Sequence, residues 1–336
     1  MFKFNKKSYP KKFYTILACE VLALILICTF ICYSLFFKKS EMVMGGFLHN
    51  QNNICETSTF KSDDINYDKF FRPSCSPILN ITNLDYSFYD KYFDKKPSGI
   101  QLEQSLLKTP ENALINYYTI LKSAAYYDEN SGKYAGCGSI GDATAPYPIA
   151  YNFLSEEYKN ELSYENFLKS FKNIFHINLT KLKEIPLPDT DENLKRYFVE
   201  LETIEGSDKP MTNFGYYYGF IDLTKEKDSY KISNMDFYGE DFLCAPYHGW
   251  SWLGEAVVET KYGGWCKMIS GKPTTKIDGY TKNIYFDGTD GNKYMIEFLT
   301  LTNNTDVEVA QYKESANGAY ERILLNPEKC LKNNVS

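Results

Sequence analysis

The sequence predicts an α+β protein: an N-terminal transmembrane helix, then helices packed on an antiparallel sheet, then a small C-terminal β-meander. Three observations carry this reading. Residues 13–37 form an apolar run with a single charge, Glu20. Hydrophobic spacing is helical as far as Ile174 and changes to alternation from Phe175. Strand-type segments divided by turn residues return after Lys276.

Composition narrows the function classes. The 336 residues are 43% hydrophobic and 24% charged, enough to bury a core. The net charge of −6 conceals an asymmetry. Residues 1–39 hold seven lysines against Glu20, whereas the rest of the chain carries 30 basic and 42 acidic groups. An acidic body excludes nucleic acid as a partner held by phosphate neutralisation. Three histidines (His49, His176, His248) are too few for a multi-histidine metal site, and no cofactor is expected.

The first element is the apolar run. Its 25 residues, at about 1.5 Å each, exceed a hydrocarbon core of about 30 Å. A secretory signal has a shorter apolar region that ends in a small-x-small cleavage site. Here the run closes on Tyr33-Ser34-Leu35-Phe36-Phe37-Lys38-Lys39, which offers none. The lipobox-like Ile16-Leu17-Ala18-Cys19 opens the run instead of closing it. Five lysines precede the run and two follow, which puts the N-terminus in the cytoplasm. The expectation is a single-pass protein of the cell membrane: tail 1–12, signal-anchor 13–37, and extracytoplasmic residues beyond.

Cysteine usage agrees with that compartment. Cys19, Cys28 and Cys32 fall in the run; Cys55, Cys75, Cys137, Cys244, Cys266 and Cys330 lie beyond it. An even set in an oxidising compartment reads as disulfides, with 15 possible connectivities left open. Local spacing suggests Cys55–Cys75; Cys244 and Cys266 bracket a predicted helix, and Cys330 closes the chain. No Cys-x-x-Cys occurs, so zinc-ribbon and thioredoxin-type readings lose their support.

Residues 38–108 lack sustained periodicity and read as a stalk that packs partly on the next domain. Thr109-Pro110-Glu111 then starts a helix: a capping hydroxyl, proline at the first helical position and an acid in the first turn. A Gly-rich loop follows over 131–148, a second helix is predicted over 149–162, and Ser163 caps a third. Alternation marks strands around Phe175–Leu179, Tyr197–Leu201, Phe214–Leu223 and Tyr230–Phe237. A connector with a short helix near Leu253–Thr260 leads to strands over Lys282–Phe286, Tyr294–Leu301, Val307–Tyr312 and Tyr320–Leu325. The domains are therefore 109–240 and 241–336.

Thr109–Phe237, with a long capped helix, shorter helices, a long antiparallel sheet and the closing strand Asp228-Ser229-Tyr230-Lys231-Ile232-Ser233, resembles the NTF2-like (cystatin-like α+β cone) superfamily. The loop 131–148 is long for that pattern. The resemblance implies a cone-shaped pocket but no particular activity. It makes Tyr216 and Tyr218 candidate pocket residues, with Asp222 on their side of the strand. Glu200 and Glu202 alternate with Val199 and Leu201 and are expected to face solvent. Asp222 is expected at the strand end, hydrated.

Chemical motifs are sparse. Gly136-Cys137-Gly138-Ser139-Ile140-Gly141 matches the dinucleotide fingerprint, but a helix precedes it and a proline-containing loop follows, so an irregular loop explains it. Cys244 and His248 are separated by Pro246, which opposes a helical nucleophile–base pair. Asp287, Asp290 and Asn292 read as hairpin turn residues, not calcium ligands. Four N-x-S/T sequons occur, at Asn80, Asn178, Asn303 and Asn334. With no catalytic set, the expected role is a non-catalytic binding or assembly module at the cell surface, with a protein or envelope partner. The alternative is a small-molecule binder or isomerase-type enzyme using the cone pocket.

Overall fold

The computed structural model describes residues 41–49, 77–80, 84, 86–93, 95–126, 143–188, 192–206, 212–241 and 249–333. The chain enters with β1 (Glu41–Val43) and β2 (Gly46–His49), turning through Met44 and Gly45 at positive φ. Helices follow: α1 (Tyr86–Asp90), α2 (Pro110–Lys122), α3 (Pro146–Tyr151), α4 (Glu156–Glu161) and α5 (Tyr164–Lys169). Four long strands come next: β3 (Ile174–Ile185), β4 (Leu194–Gly206), β5 (Thr212–Glu226) and β6 (Ser229–Gly239). The last part holds α6 (Gly254–Val257), which runs into a wider π-helical segment (Val258–Trp265). Strands β7 (Ile269–Asp278), β8 (Thr281–Gly288), β9 (Lys293–Thr300), β10 (Asp306–Glu314) and β11 (Tyr320–Ile323) precede α7 (Pro327–Asn333).

The capping chemistry read from sequence is what starts the helices. Thr109 accepts from the Asn112 N–H at the head of α2, and Ser163 accepts from Asn166 at the head of α5. The helix expected over 149–162 is instead two. Phe153 and Ser155 exchange backbone hydrogen bonds with Ile232 of β6, and Ser155 then caps α4. A strand-like bridge outweighs two turns of helix there because it satisfies the buried backbone directly.

Strands β1–β6 form one sheet in the order β1-β2-β6-β5-β4-β3. The antiparallel sheet expected is therefore corrected to a mixed one, since β2 joins β6 in parallel register, with Leu48 opposite Phe237. The free side of β3 is partly closed by a short segment: Leu79 donates to the Leu179 carbonyl, and Asn80 bonds to Leu179 N–H and the Ile177 carbonyl. Strands β7–β11 form a sequential antiparallel meander, and β7 is a strand that the expected meander lacked.

Three apolar clusters form the core among the described residues. The first lies between α1–α5 and the first sheet and includes Tyr117, Tyr118, Phe153, Phe167, Leu179, Val199, Leu201 and Ile221. The second lies between the two sheets, where Phe198 and Tyr218 meet Leu299, Leu301, Val309 and Tyr312. The third packs Val257, Val258 and Tyr262 on Ile284, Ile296 and Phe298. Described pieces of the expected stalk belong to the first cluster, through Met44, Phe88, Ile100 and Leu107.

The expected transmembrane helix, with its membrane and signal-anchor reading, requires correction. No helix among the described residues is long and apolar enough to cross a membrane. The stretch that prompted the expectation, 13–37, lies outside the described residues, as do Cys19, Cys28 and Cys32.

Candidate functional site

The second face of the first sheet holds the chemistry. Strand alternation sends Val199, Leu201, Tyr217 and Ile221 toward the helices, and Phe198, Glu200, Glu202, Tyr216, Tyr218 and Asp222 to the other side. On that other side Phe198 and Tyr218 pack against Leu299, Val309 and Tyr312 of the second sheet and the neighbouring Leu301, and Glu200 bonds to Thr302. The candidate pocket residues Tyr216, Tyr218 and Asp222 therefore lie opposite the face where a helix-covered cone would be. The helix face itself is filled: Tyr117, Tyr118, Phe153, Phe167 and Phe171 have no exposed surface.

Glu200 and Glu202 are not on a solvent face. They are 0% and 1% exposed, which overturns the expectation. Each is matched by buried donors. Glu202 accepts from Asn178 Nδ2 at 3.1 Å and from the Tyr216 hydroxyl at 3.1 Å. Glu200 lies 2.7 Å from Lys181 Nζ and accepts from the Thr302 backbone N–H at 2.6 Å. The Thr180 hydroxyl donates to the Glu200 backbone carbonyl and reaches its carboxylate at 3.3 Å. A β-bulge between Leu179 and Lys181 allows two successive residues to address one acid. Lys181 also donates to the Thr300 carbonyl at 2.9 Å and lies over the Tyr280 ring. The ion pair on β3–β4 thereby reaches across to the second sheet.

Two further links cross the seam. Lys183 pairs with Glu297 at 2.7 Å and donates to Thr281, while the Tyr312 hydroxyl donates to the other Glu297 oxygen at 2.8 Å. The Tyr280 hydroxyl donates to the Leu182 carbonyl at 3.1 Å. Beside them runs a row of stacked rings, His49–Tyr238–Tyr218–Phe198, with centroid spacings of 4.8, 5.0 and 6.1 Å. Tyr218 belongs to this row, so its ring is occupied by neighbours.

Glu240, just past β6, was not singled out by the sequence. Both of its carboxylate oxygens are buried and no donor among the described residues reaches either. Burial, followed by the adjacent Glu200 charge, pushes its carboxyl well above the ordinary range, and Lys181 opposes the shift. Nothing in the local sequence Tyr238-Gly239-Glu240-Asp241 signals this, because the groups that act on it, Glu200 and Lys181, belong to the distant strands β4 and β3.

Asp222 is not hydrated as expected. It is 8% exposed and receives a bidentate pair from Arg196, Nε to Oδ1 and Nη2 to Oδ2, both 2.7 Å. Asp290 behaves as the turn residue expected: Asn292 and Tyr294 donate to it, and those bonds hold its carboxyl down at about 2. No group of three or more His, Cys, Asp or Glu among the described residues is arranged to hold a metal.

Of the six cysteines expected in bridges, Cys266 and Cys330 are bonded to each other. Cys55, Cys75, Cys137 and Cys244 lie outside the described residues, and with them His248 and the glycines of 136–141. Compared with protein-family models, curated proteins and solved structures, the chain matches none.

Proposed function

We propose that this chain is a non-catalytic binding or assembly module that works outside the cytoplasm, through its surface, on a protein or cell-envelope partner. One observation carries the reading. The helix-facing side of the first sheet, where a cone pocket would open, is packed with fully buried aromatic rings. An isomerase-type site needs an acid or base beside an open apolar volume. The strand acids instead lie on the opposite face, where Glu200, Glu202 and Asp222 are each matched by internal donors. The helices on one face of a curled sheet support a proposed kinship with NTF2-like domains, and the Cys266–Cys330 bridge supports the oxidising compartment.

Two experiments test it. Photo-crosslinking groups placed at the exposed Trp250 and Ile277 should yield discrete adducts with protein or wall polymer on intact cells, and their absence counts against the module. NMR screening with small molecules should leave Tyr216, Tyr218 and Asp222 unmoved. A compound that shifts them, with the shift lost in Asp222→Asn, would establish the ligand-binding alternative.

A further inference from the structure

We propose that Glu240 and Glu200 form a proton-binding site that latches the first sheet to the second, closed when Glu240 carries a proton and released when it does not. The inference stands on geometry that the binding role leaves unused. Glu200 is fully buried and already committed, to Lys181 on one oxygen and the Thr302 N–H on the other. Glu240 is its charged neighbour, and no donor among the described residues reaches either of its two buried oxygens. A carboxylate in that place has no donor among the described residues, whereas a carboxylic acid supplies its own and gives it to Glu200.

The surrounding charges leave one proton as the balancing species. From β3, Lys181 is the cation acting on the pair, and Thr180 adds a hydroxyl to Glu200. From β4, Glu202 is a further acid, held by Asn178 and by Tyr216 of β5. From the second sheet come the Thr302 N–H and the Tyr280 ring under Lys181. Next along the chain is Asp241, whose carbonyl accepts from Asn303 at 3.4 Å. Among these groups the acids exceed the single lysine. The arrangement offers no three-carboxylate metal set, so the ligand it fits is a proton.

The location makes the proton consequential. Glu240 directly follows the last residue of β6, and its N–H is anchored on the Tyr216 carbonyl. Loss of the proton sets two negative charges side by side in a dry seam. The relief available is for Glu240 to swing toward solvent, and the Thr302 loop, held to β4 through Glu200, then parts from it. The sign is fixed: an acid raised in the folded state stabilises it below the ordinary carboxylate range. That stability is lost as pH rises through the raised range.

Carboxyl-carbon NMR on the full chain, with melting temperature and Thr302 amide exchange followed against pH, tests the latch. Glu240 should remain protonated above the ordinary carboxylate range and ionise only beyond it. Thr302 protection, corrected for intrinsic exchange, should then fall about tenfold or more, the equivalent of one pK unit. Glu240→Gln keeps a donor toward Glu200 and cannot ionise, so its melting temperature and Thr302 protection should be flat over the same range. Glu240 titrating within the ordinary carboxylate range overturns the proposal, as does a Gln variant that follows the wild-type profile. If the variant does not fold, the wild-type carboxyl titration and Thr302 exchange decide alone.

Discussion

Lys181 shows how one residue acquires its meaning from distant chain. Its ammonium is the cation paired with the buried Glu200, and the carbonyl it also serves belongs to Thr300 of the other sheet. Lys181→Met should cost about 3–5 kcal/mol in urea unfolding, because it leaves a buried carboxylate without its partner. Adding Glu200→Gln to that variant should recover much of the loss; two independent, additive losses would show that the pair is not coupled. Lys231 gives a pH prediction of its own. Burial, with Lys159 nearby, pushes its ammonium down to about 8. The unfolded chain keeps that proton to about pH 10.4, so wild-type stability should gain with rising pH between the two values. The stability of Lys231→Met relative to wild type should therefore decline over that window, as measured by urea midpoints at pH 7 and 10. The sequons resolve at this scale too. Asn80, Asn178 and Asn303 are buried and hydrogen-bonded, so these three matches are unusable once the chain is folded.

At the scale of elements, what was legible is what local chemistry decides. Thr109-Pro110-Glu111 announces α2, and Thr109→Ala should cost about 1 kcal/mol by removing the acceptor of the Asn112 N–H, read as a lower melting temperature. An unchanged melting temperature would mean that packing alone sets the start of that helix. The long strands were legible for the same reason: alternation is a property of consecutive residues. Elements that depend on distant pairing were not. β2 is four residues long and exists because β6 offers it an edge. β7, ISGKPTTKID, contains Gly271 and Pro273 and is exposed along most of its length, so no alternation marked it. Parity correctly placed Glu200 and Glu202 on one face together. It carried no information on whether a second sheet would cover that face, and there the site reading failed.

For the whole molecule, the question is what holds the second sheet in place. Its contact with the first sheet combines a modest apolar cluster with ion pairs and hydrogen bonds, while its outer side is closed by α6 and the π-helical segment. The bridge from Cys266 to Cys330 ties the end of that segment to α7 across a separation of 64 residues. The loop it closes contains β7 to β11, so its effect falls on the second sheet and barely on α1–α5. Chain-entropy arithmetic for a loop of this size gives about 4 kcal/mol, and measured bridges more often give about 2–4. The chain provides its own reporters: Trp250, Trp252 and Trp265 are its three tryptophans, all beside α6. Reduction, or the double variant Cys266→Ser/Cys330→Ser, should move the tryptophan-fluorescence transition to lower urea by more than the far-ultraviolet circular dichroism transition, which averages over both sheets. Separation of the two curves on reduction would identify the second sheet as the weaker cooperative unit. Coincident curves that shift together would instead mean that the seam through Lys181, Lys183 and Tyr280 couples both sheets into a single transition.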